Sequence, residues 1–89
     1  MADEETLEEG KLIGKITHYF SKIGVAVIEL SDALKVGDTI HIVGGETDFN
    51  QNVDSMEIEH QKVKEAKSGD SAGLQVSQKV REGYKVYKL

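Results

Sequence analysis

One short pattern occurs three times in this sequence and limits what the chain can fold into. It is an apolar residue, two further residues, a glycine, and then alternating apolar and polar positions. The copies are LKVGDTIHI from Leu34, AKSGDSAGL from Ala66 and VREGYKVY from Val80. The glycine permits the positive φ of a tight turn, and an aspartate after it can bind backbone amides. A corner repeated between strands indicates a sheet that closes on itself, because closure removes exposed edges.

The segments between the glycines are typical of strands. They are rich in Val, Ile, Tyr and Thr, and the sequence has no proline. We expect strands near 11–19, 24–30, 39–43, 54–60, 62–66, 72–77 and 84–88. Apolar and polar residues alternate in several of them, which predicts one buried and one solvent-facing side. The expected fold is all-β, a small antiparallel β-barrel of about six to eight strands.

The chain is expected to divide into a tail and one domain. Residues 1–9 carry five acids and no base, which is typical of a disordered, solubilising arm. Alternatively, this tail folds back on the basic segments and competes with a partner there. Residues 10–89 are expected to form a single β-barrel domain. The polar, glycine-rich stretch Gly44–Asn52 is expected to be its longest and most mobile loop.

The composition excludes several classes of protein. There is no cysteine, and therefore no disulfide framework and no thiolate metal site. The longest apolar run, Val25–Ile28, is far too short to span a membrane. The acidic N-terminus is the opposite of a secretory signal. We therefore expect a cytoplasmic protein without membrane contact.

The stretch GKLIGKIT, from Gly10 to Thr17, is close to a phosphate-binding loop. Such a loop has four residues between its glycines, has Ser or Thr directly after its lysine, and opens a helix. Here three residues separate Gly10 from Gly14, and Ile16 follows Lys15. We therefore expect no nucleotide. Gly14 is expected to allow a bend or a close neighbour in the first strand.

The sequence contains no motif for catalysis. His18, His41 and His60 do not have the spacing of a helical zinc pair, and no glycine-flanked serine elbow occurs. We therefore predict that the chain is not an enzyme and binds no metal or cofactor.

The basic residues are concentrated at the first and last strands. The residues that we select are Lys11, Lys15, His18, Tyr19 and Lys22 near the first strand, and Arg81, Lys85 and Lys88 near the last. If these strands are neighbours in a barrel, the residues form one basic surface with aromatic rings beside it. Cationic side chains contact phosphates and aromatic rings stack on nucleobases, which indicates RNA as a partner. The alternative is an ordinary solvated face.

Residues 10–89 resemble the second, β-barrel domain of translational GTPases. The stretches that carry the resemblance are GKITHYFSKIGVAVIEL, LKVGDTIHIVGG, VDSMEIEHQKVKEAKSGDSAGLQV and VREGYKVY, in that order. Elongation factor Tu and initiation factors contain this Greek-key barrel. The resemblance implies a non-enzymatic module that recognises RNA, tRNA or a translation-related protein. It also places Glu57 and His60 at two positions of the pocket that holds the aminoacyl end of tRNA.

A similar barrel ends the collagenase-like peptidases, some of which act in RNA modification. This second resemblance implies the alternative function, a protein–protein adaptor or accessory subunit of an RNA-modifying or peptidase-type enzyme. Neither resemblance indicates an oligomeric state.

Overall fold

The computed structural model describes residues 10–45 and 47–89, which form strands, turns and loops without a helix. The strands are β1 (Lys11–Phe20), β2 (Val25–Leu30), β3 (Leu34–Lys35), β4 (Thr39–Gly44), β5 (Thr47–Asn52), β6 (Met56–Ile58), β7 (Gln61–Val63), β8 (Glu65–Ala66), β9 (Ser71–Gln75) and β10 (Lys85–Lys88). All their pairings are antiparallel. The expected all-β fold is confirmed. The acidic tail, residues 1–9, lies outside the described residues.

Eight strands form one sheet in the order β5–β4–β10–β1–β2–β9–β6–β7, and β3 pairs with β8 in a second, small sheet. Within the described residues, the end strands β5 and β7 are not paired with each other, so the fold is barrel-like without a continuous closing ladder. Backbone hydrogen bonds outside the ladders extend the pairing next to the small sheet. Val36 donates to the carbonyl of Lys64 at 2.9 Å, and Val53 donates to that of Asp38 at 2.9 Å.

One apolar core fills the space inside the sheets. No polar or charged side chain of residues 10–45 and 47–89 is buried. The alternation expected from the sequence is confirmed on β4, where Ile40 and Ile42 are fully buried, and on β9, where Ala72 and Leu74 are buried. The core residues are Ile13, Ile16, Ala26, Ile28, Leu30, Leu34, Ile40, Ile42, Phe49, Val53, Met56, Ala66, Ala72, Leu74, Val76, Val80 and Val86.

The three repeated corners have the same structure. Their apolar residues, Leu34, Ala66 and Val80, are buried in the core. Their glycines, Gly37, Gly69 and Gly83, have φ angles of 100°, 95° and 92°. This backbone conformation is one that residues with a Cβ rarely adopt, and it reverses the chain in each corner. The sequence pattern therefore identified three turns correctly.

The aspartates of two corners bind the backbone as expected. Asp38 accepts a hydrogen bond from the backbone N–H of Lys35, and Asp70 accepts one from that of Lys67, both at 2.9 Å. The third corner has Tyr84 in this position. Its ring lies against Gly44, and a Cβ at Gly44 would collide with it. The third corner thus uses a packing contact where the other two use a carboxylate.

The stretch Gly44–Asn52 is not a long loop, and the expectation for it is wrong. Residues 47–52 form β5, which pairs along its whole length with β4. Phe49 lies opposite Ile42 and is buried. Asn, Asp and Gln have low strand propensity, but pairing with β4 and burial of one aromatic ring decide the conformation here. The expected strand at 62–66 is split because the chain passes from β7 in the large sheet to β8 in the small one.

Gln51 joins β5 to the end of β9 through its side chain. Its amide nitrogen donates to the carbonyl of Gln75, and its amide oxygen accepts from the backbone N–H of Ser77, each at 2.8 Å. This side chain thus bonds two backbone groups across the sheet.

Replacing Gln51 with leucine is therefore expected to reduce the free energy of unfolding by about 1–2 kcal/mol, since two hydrogen bonds are lost. Urea denaturation measures the change. Asn50→Leu is the matched control, because Asn50 is exposed on the same strand. Equal effects of the two substitutions would show that the bridge contributes nothing.

Candidate functional site

The pairing of β1 with β10 brings together two of the basic residues that were selected from the sequence as binding candidates. Lys15 lies opposite Lys85 in this ladder and opposite Glu29 in the ladder with β2. Directly opposite residues have Cβ atoms about 5 Å apart and point to the same face. Both lysines are exposed. Lys15 therefore faces a like charge on β10, which repels it, and an opposite charge on β2, which attracts it.

A depression of about 450 Å³ lies at these lysines. We call it the lysine depression, and the residues that line it are Leu12, Gly14, Lys15, Glu29, Leu30, Ser31, Ser68, Gly69, Gly83 and Lys85. Two corners are tied to the strands beneath it. Gly69 donates to the carbonyl of Leu30 at 2.8 Å, and Gly83 donates to that of Ile16 at 2.7 Å. A Cβ at Gly69 or Gly83 would meet nothing within 4 Å, so the corners leave the depression open.

The polar side chains of the lysine depression have few partners among the described residues. Among residues 10–45 and 47–89, neither Lys15 nor Lys85 forms an ion pair. In the same residues the hydroxyls of Ser31 and Ser68 make no hydrogen bond within the chain. The lining residues therefore include two lysines and two serines, whose ammonium and hydroxyl groups can donate hydrogen bonds, while most of the lining surface is apolar. Glu29 is the one acidic residue that lines the depression among residues 10–45 and 47–89.

The other bases selected from the sequence lie in different surroundings. Lys11 contacts Asp32 at 2.5 Å, and Lys88 contacts the carbonyl of Ala33 at 3.5 Å and Asp38 at 4.0 Å. These two cations are matched by the chain's own oxygen atoms. Lys22 is exposed in the turn that follows β1. Lys11 and Lys88 also lie directly opposite each other on β1 and β10, as Lys15 and Lys85 do, but only Lys15 and Lys85 of these four have no ion pair among residues 10–45 and 47–89.

The aromatic and remaining polar residues of the selected set lie elsewhere on the surface. Tyr19 and Arg81 line a second depression of about 550 Å³, together with Lys79 and Tyr84. The ring of His18 lies 4.3 Å from that of Phe20, and its Nδ1 is 3.7 Å from a carboxylate oxygen of Glu82.

Glu57 and His60 belong to the β6–β7 hairpin. Glu57 lies on β6, opposite Lys62 on β7 and Gly73 on β9. His60 lies in the two-residue turn, where it and Glu59 have φ angles of 69° and 52°. Positive φ at both residues is what a mirror-image hairpin turn requires. Both Glu57 and His60 are exposed, and no depression described above includes them.

The Lys11–Asp32 contact has a measurable electrostatic consequence. The ammonium group of Lys11, assisted by the backbone N–H of Ala33, holds the pKa of Asp32 below its usual value. A carboxyl whose pKa is lowered by folding adds stability above its unfolded pKa, and this contribution is lost as the pH falls through the folded pKa. The stabilisation is therefore present at neutral pH, begins to decline near pH 3.8, the usual pKa, and is lost as the pH falls through the lower folded pKa.

Replacing Lys11 with methionine is expected to raise the pKa of Asp32 towards its usual value, because the main hydrogen-bond donor is removed. An NMR titration of the Asp32 carboxyl carbon measures this shift. Lys15→Met is the control, since Lys15 does not contribute to the lowered pKa of Asp32. An unchanged titration curve in the Lys11 variant would contradict the assignment.

His41, which lies closer to a carboxylate than His18 does, is not arranged for catalysis. Nε2 of His41 lies 2.5 Å from Oδ1 of Asp48. A histidine base needs its second ring nitrogen to reach the substrate. Nδ1 of His41 is buried and has no hydrogen-bond partner among the described residues. This pair therefore cannot present a base to a substrate in this conformation.

The described residues contain neither a metal cluster nor a membrane-spanning helix. No group of three or more His, Asp or Glu side chains is placed to hold a metal ion. No helix there has the length and apolar character needed to cross a membrane.

The fold closely matches a domain of known structure. The C-terminal domain of a Geobacillus thermoleovorans "putative U32 peptidase", in its selenomethionine variant, aligns with a TM-score of 0.84 over 88% of this chain and 99% of that domain, at 17% sequence identity. A second structure of that domain gives 0.83 over 89% of this chain and 92% of the domain. The fold is that of this peptidase domain.

Curated relatives point in the same direction. A Methanocaldococcus jannaschii protein named as an uncharacterized protease is 44% identical over 78 residues, 86% of this chain and 19% of that protein. A collagenase of Porphyromonas gingivalis is 38% identical over 79 residues, 86% of this chain and 22% of the collagenase. The chain thus spans about a fifth of the length of the curated relatives it matches. No protein-family model matches it.

These relatives correct the resemblance to translational GTPases. The proteins found are named as a protease, collagenases and a peptidase, and the barrel was assigned to the wrong family. The function inferred from that family, a translation-related module that recognises RNA or tRNA, is wrong as well. The pocket roles of Glu57 and His60 depended on that assignment and have no further basis.

Sequence analysis did not find Glu29, Ser31 and Ser68, which line the lysine depression with the two lysines. Ser68 lies within the second corner, whose glycine indicated a turn but not what the turn would face. Glu29 and Ser31 carried no signal of their own, because an acid or a serine at a strand end is ordinary.

Proposed function

We propose that this chain is a non-catalytic β-domain that works with a collagenase-like peptidase, as a protein-binding adaptor or accessory domain. The observation that carries the proposal is the 44% identity to a protein named as a protease. The likeness of the fold to the C-terminal domain of the Geobacillus peptidase supports it. The proposal concerns what this domain does for such an enzyme and assigns it no chemistry of its own.

The non-catalytic part of the proposal is supported by the described residues. The lysine depression and the second depression contain no histidine, and the second ring nitrogen of His41 is covered. A peptidase needs a nucleophile with a base, or a metal-bound water, within reach of the scissile bond. The matched segment is about a fifth of each curated relative, which leaves most of each relative to supply that chemistry. The location proposed is the cytoplasm, consistent with a sequence that has no cysteine.

A segment exchange tests the proposal. In the Porphyromonas gingivalis collagenase, the segment homologous to this chain is deleted in one variant and replaced by this chain in another. We expect the deletion to lose most of its collagen hydrolysis and the exchange to restore most of it. This chain alone should release no peptide from collagen. The collagenase with its own segment reinserted at the same junctions is the control for the joining sites.

Two outcomes would overturn the proposal. One is full collagen hydrolysis by the deletion variant, which would mean that the segment does not serve the enzyme. The other is an exchange variant as deficient as the deletion while the reinserted control is active. Isothermal titration calorimetry of this chain with the deletion variant measures binding directly. It therefore separates loss of binding from loss of activity.

A further inference from the structure

We propose that the lysine depression is a docking site for an extended peptide segment that carries carboxylate and apolar side chains. The inference deepens the proposed function, because such a segment would belong to the peptidase that the domain serves. The proposed binding is argued from residues of this chain that line the depression. They are the facing pair Lys15 and Lys85, the serines Ser31 and Ser68, and the exposed Leu12.

The charge arrangement selects an anion. Lys15 and Lys85 lie directly opposite each other, and neither has an ion-pair partner among residues 10–45 and 47–89. A carboxylate placed between them would remove their mutual repulsion and accept hydrogen bonds from both. Lys11 and Lys88, on the same two strands, show the contrast, since each already has an acidic neighbour.

The rest of the lining favours a peptide over a nucleic acid. Glu29 lies opposite Lys15 and would repel a continuous row of phosphates. It can instead accept a hydrogen bond from a backbone N–H, which a peptide supplies and a phosphate backbone does not. None of the described residues that line the depression is aromatic, so none of them can stack on a nucleobase.

An exposed leucine in the lining explains why the partner peptide should carry apolar as well as acidic side chains. The side chain of Leu12 is 47% exposed and lines the depression. An apolar residue of the partner beside its carboxylates would cover this leucine and exclude water from the ion pairs. The volume of about 450 Å³ is within the range of small-ligand sites and accommodates a few residues of an extended chain.

A peptide titration tests the chemistry without relying on the peptidase. The probe is a capped hexapeptide of sequence Glu-Leu-Glu-Glu-Leu-Glu, added to the full chain labelled with ¹⁵N. We expect amide shifts at Lys15, Glu29, Ser31, Ser68 and Lys85, with affinity that falls as salt is added. A second peptide with lysine at each glutamate position and a short oligouridylate are the comparison ligands, and neither should shift these amides.

Matched variants locate the binding. The double variant Lys15→Glu with Lys85→Glu is expected to bind the acidic peptide about tenfold more weakly or worse, because two attractive pairs become repulsive. Lys22→Glu with Lys64→Glu makes the same change in net charge at exposed lysines outside the depression and should bind normally. Thermal unfolding of both variants checks that each is folded. If the first variant does not fold, Lys15→Gln with Lys85→Gln replaces it, with a smaller loss of affinity expected, because the attraction is removed without adding repulsion.

The results separate the two proposals. No shift with the acidic peptide, equal binding by the two double variants, or the same shifts with oligouridylate would overturn the inference. The Lys15→Glu and Lys85→Glu changes in the exchanged collagenase should abolish the restored activity, whereas Lys22→Glu with Lys64→Glu should not. If the peptide binds as expected but the exchange restores nothing, the docking chemistry stands and the proposed function fails.

Discussion

Replacing Gly14 with alanine is expected to lower the free energy of unfolding by about 3 kcal/mol. A Cβ at this position would lie 2.5 Å from the backbone oxygen of Glu29 and 2.9 Å from Cγ2 of Ile28. The oxygen belongs to the neighbouring strand β2 and cannot move away without disturbing the β1–β2 ladder. Urea denaturation measures the loss. The fitted dependence of the free energy of unfolding on urea concentration shows whether unfolding stays two-state.

Gly73→Ala is the matched control for Gly14→Ala. Gly73 lies within β9, and its Cβ would meet Cγ1 of Val25 at 3.6 Å, an ordinary contact. Alanine there is expected to be neutral or to stabilise by about 0.5 kcal/mol, because glycine loses more backbone freedom on folding. Similar losses in both variants would mean that close backbone approach is not what Gly14 provides.

Replacing Leu34 with alanine is expected to cost about 2–5 kcal/mol. Leu34 is fully buried and is the apolar residue of the first repeated corner. Truncation leaves a cavity where the small β3–β8 sheet meets the core, and close-packed surroundings relax only partly around such a cavity. Calorimetry or urea denaturation measures the change.

Leu12→Ala provides the same chemical change at an exposed site. Leu12 is on β1 with 47% of its surface accessible, so its truncation is expected to cost about 0.5 kcal/mol or less. A cost for Leu34→Ala no larger than that for Leu12→Ala would show that the corner leucine does not hold the small sheet on the core.

The corners explain both what the sequence predicted well and where the resemblance failed. An apolar residue, a glycine with positive φ and an aspartate that caps a backbone amide are geometric requirements of the turn, and Leu34, Gly37 and Asp38 meet them. Any small barrel with this corner needs the same residues, whatever its function. The pattern therefore predicted the turns correctly, and the same pattern led to the wrong family.

The strand β5 could not be predicted because its stability is not local. Residues 47–52 include Asp48 and Asn50, which have low strand propensity. Pairing with β4 supplies the backbone hydrogen bonds, the burial of Phe49 supplies the apolar contact, and the side chain of Gln51 bonds two backbone groups at the end of β9. Each of these partners lies elsewhere in the chain.

The sequence by itself determined the class of fold and the places where the chain turns. Alternation of apolar residues and the special backbone freedom of glycine act over a few neighbouring residues, so they are visible without tertiary structure. The sequence also separated GKLIGKIT from a phosphate-binding loop, and the clash predicted for a Cβ at Gly14 agrees with the close neighbour expected there.

Tertiary structure alone decided which bases form a candidate site. The bulge between Leu12 and Gly14 shifts the β1–β10 register, and the ladder continues with Lys15 opposite Lys85. A register shift by one residue moves every side chain to the other face. Two lysines from opposite ends of the chain can face each other, or each can face a different acidic residue. Which of these occurs depends on strand pairings that no local sequence pattern contains.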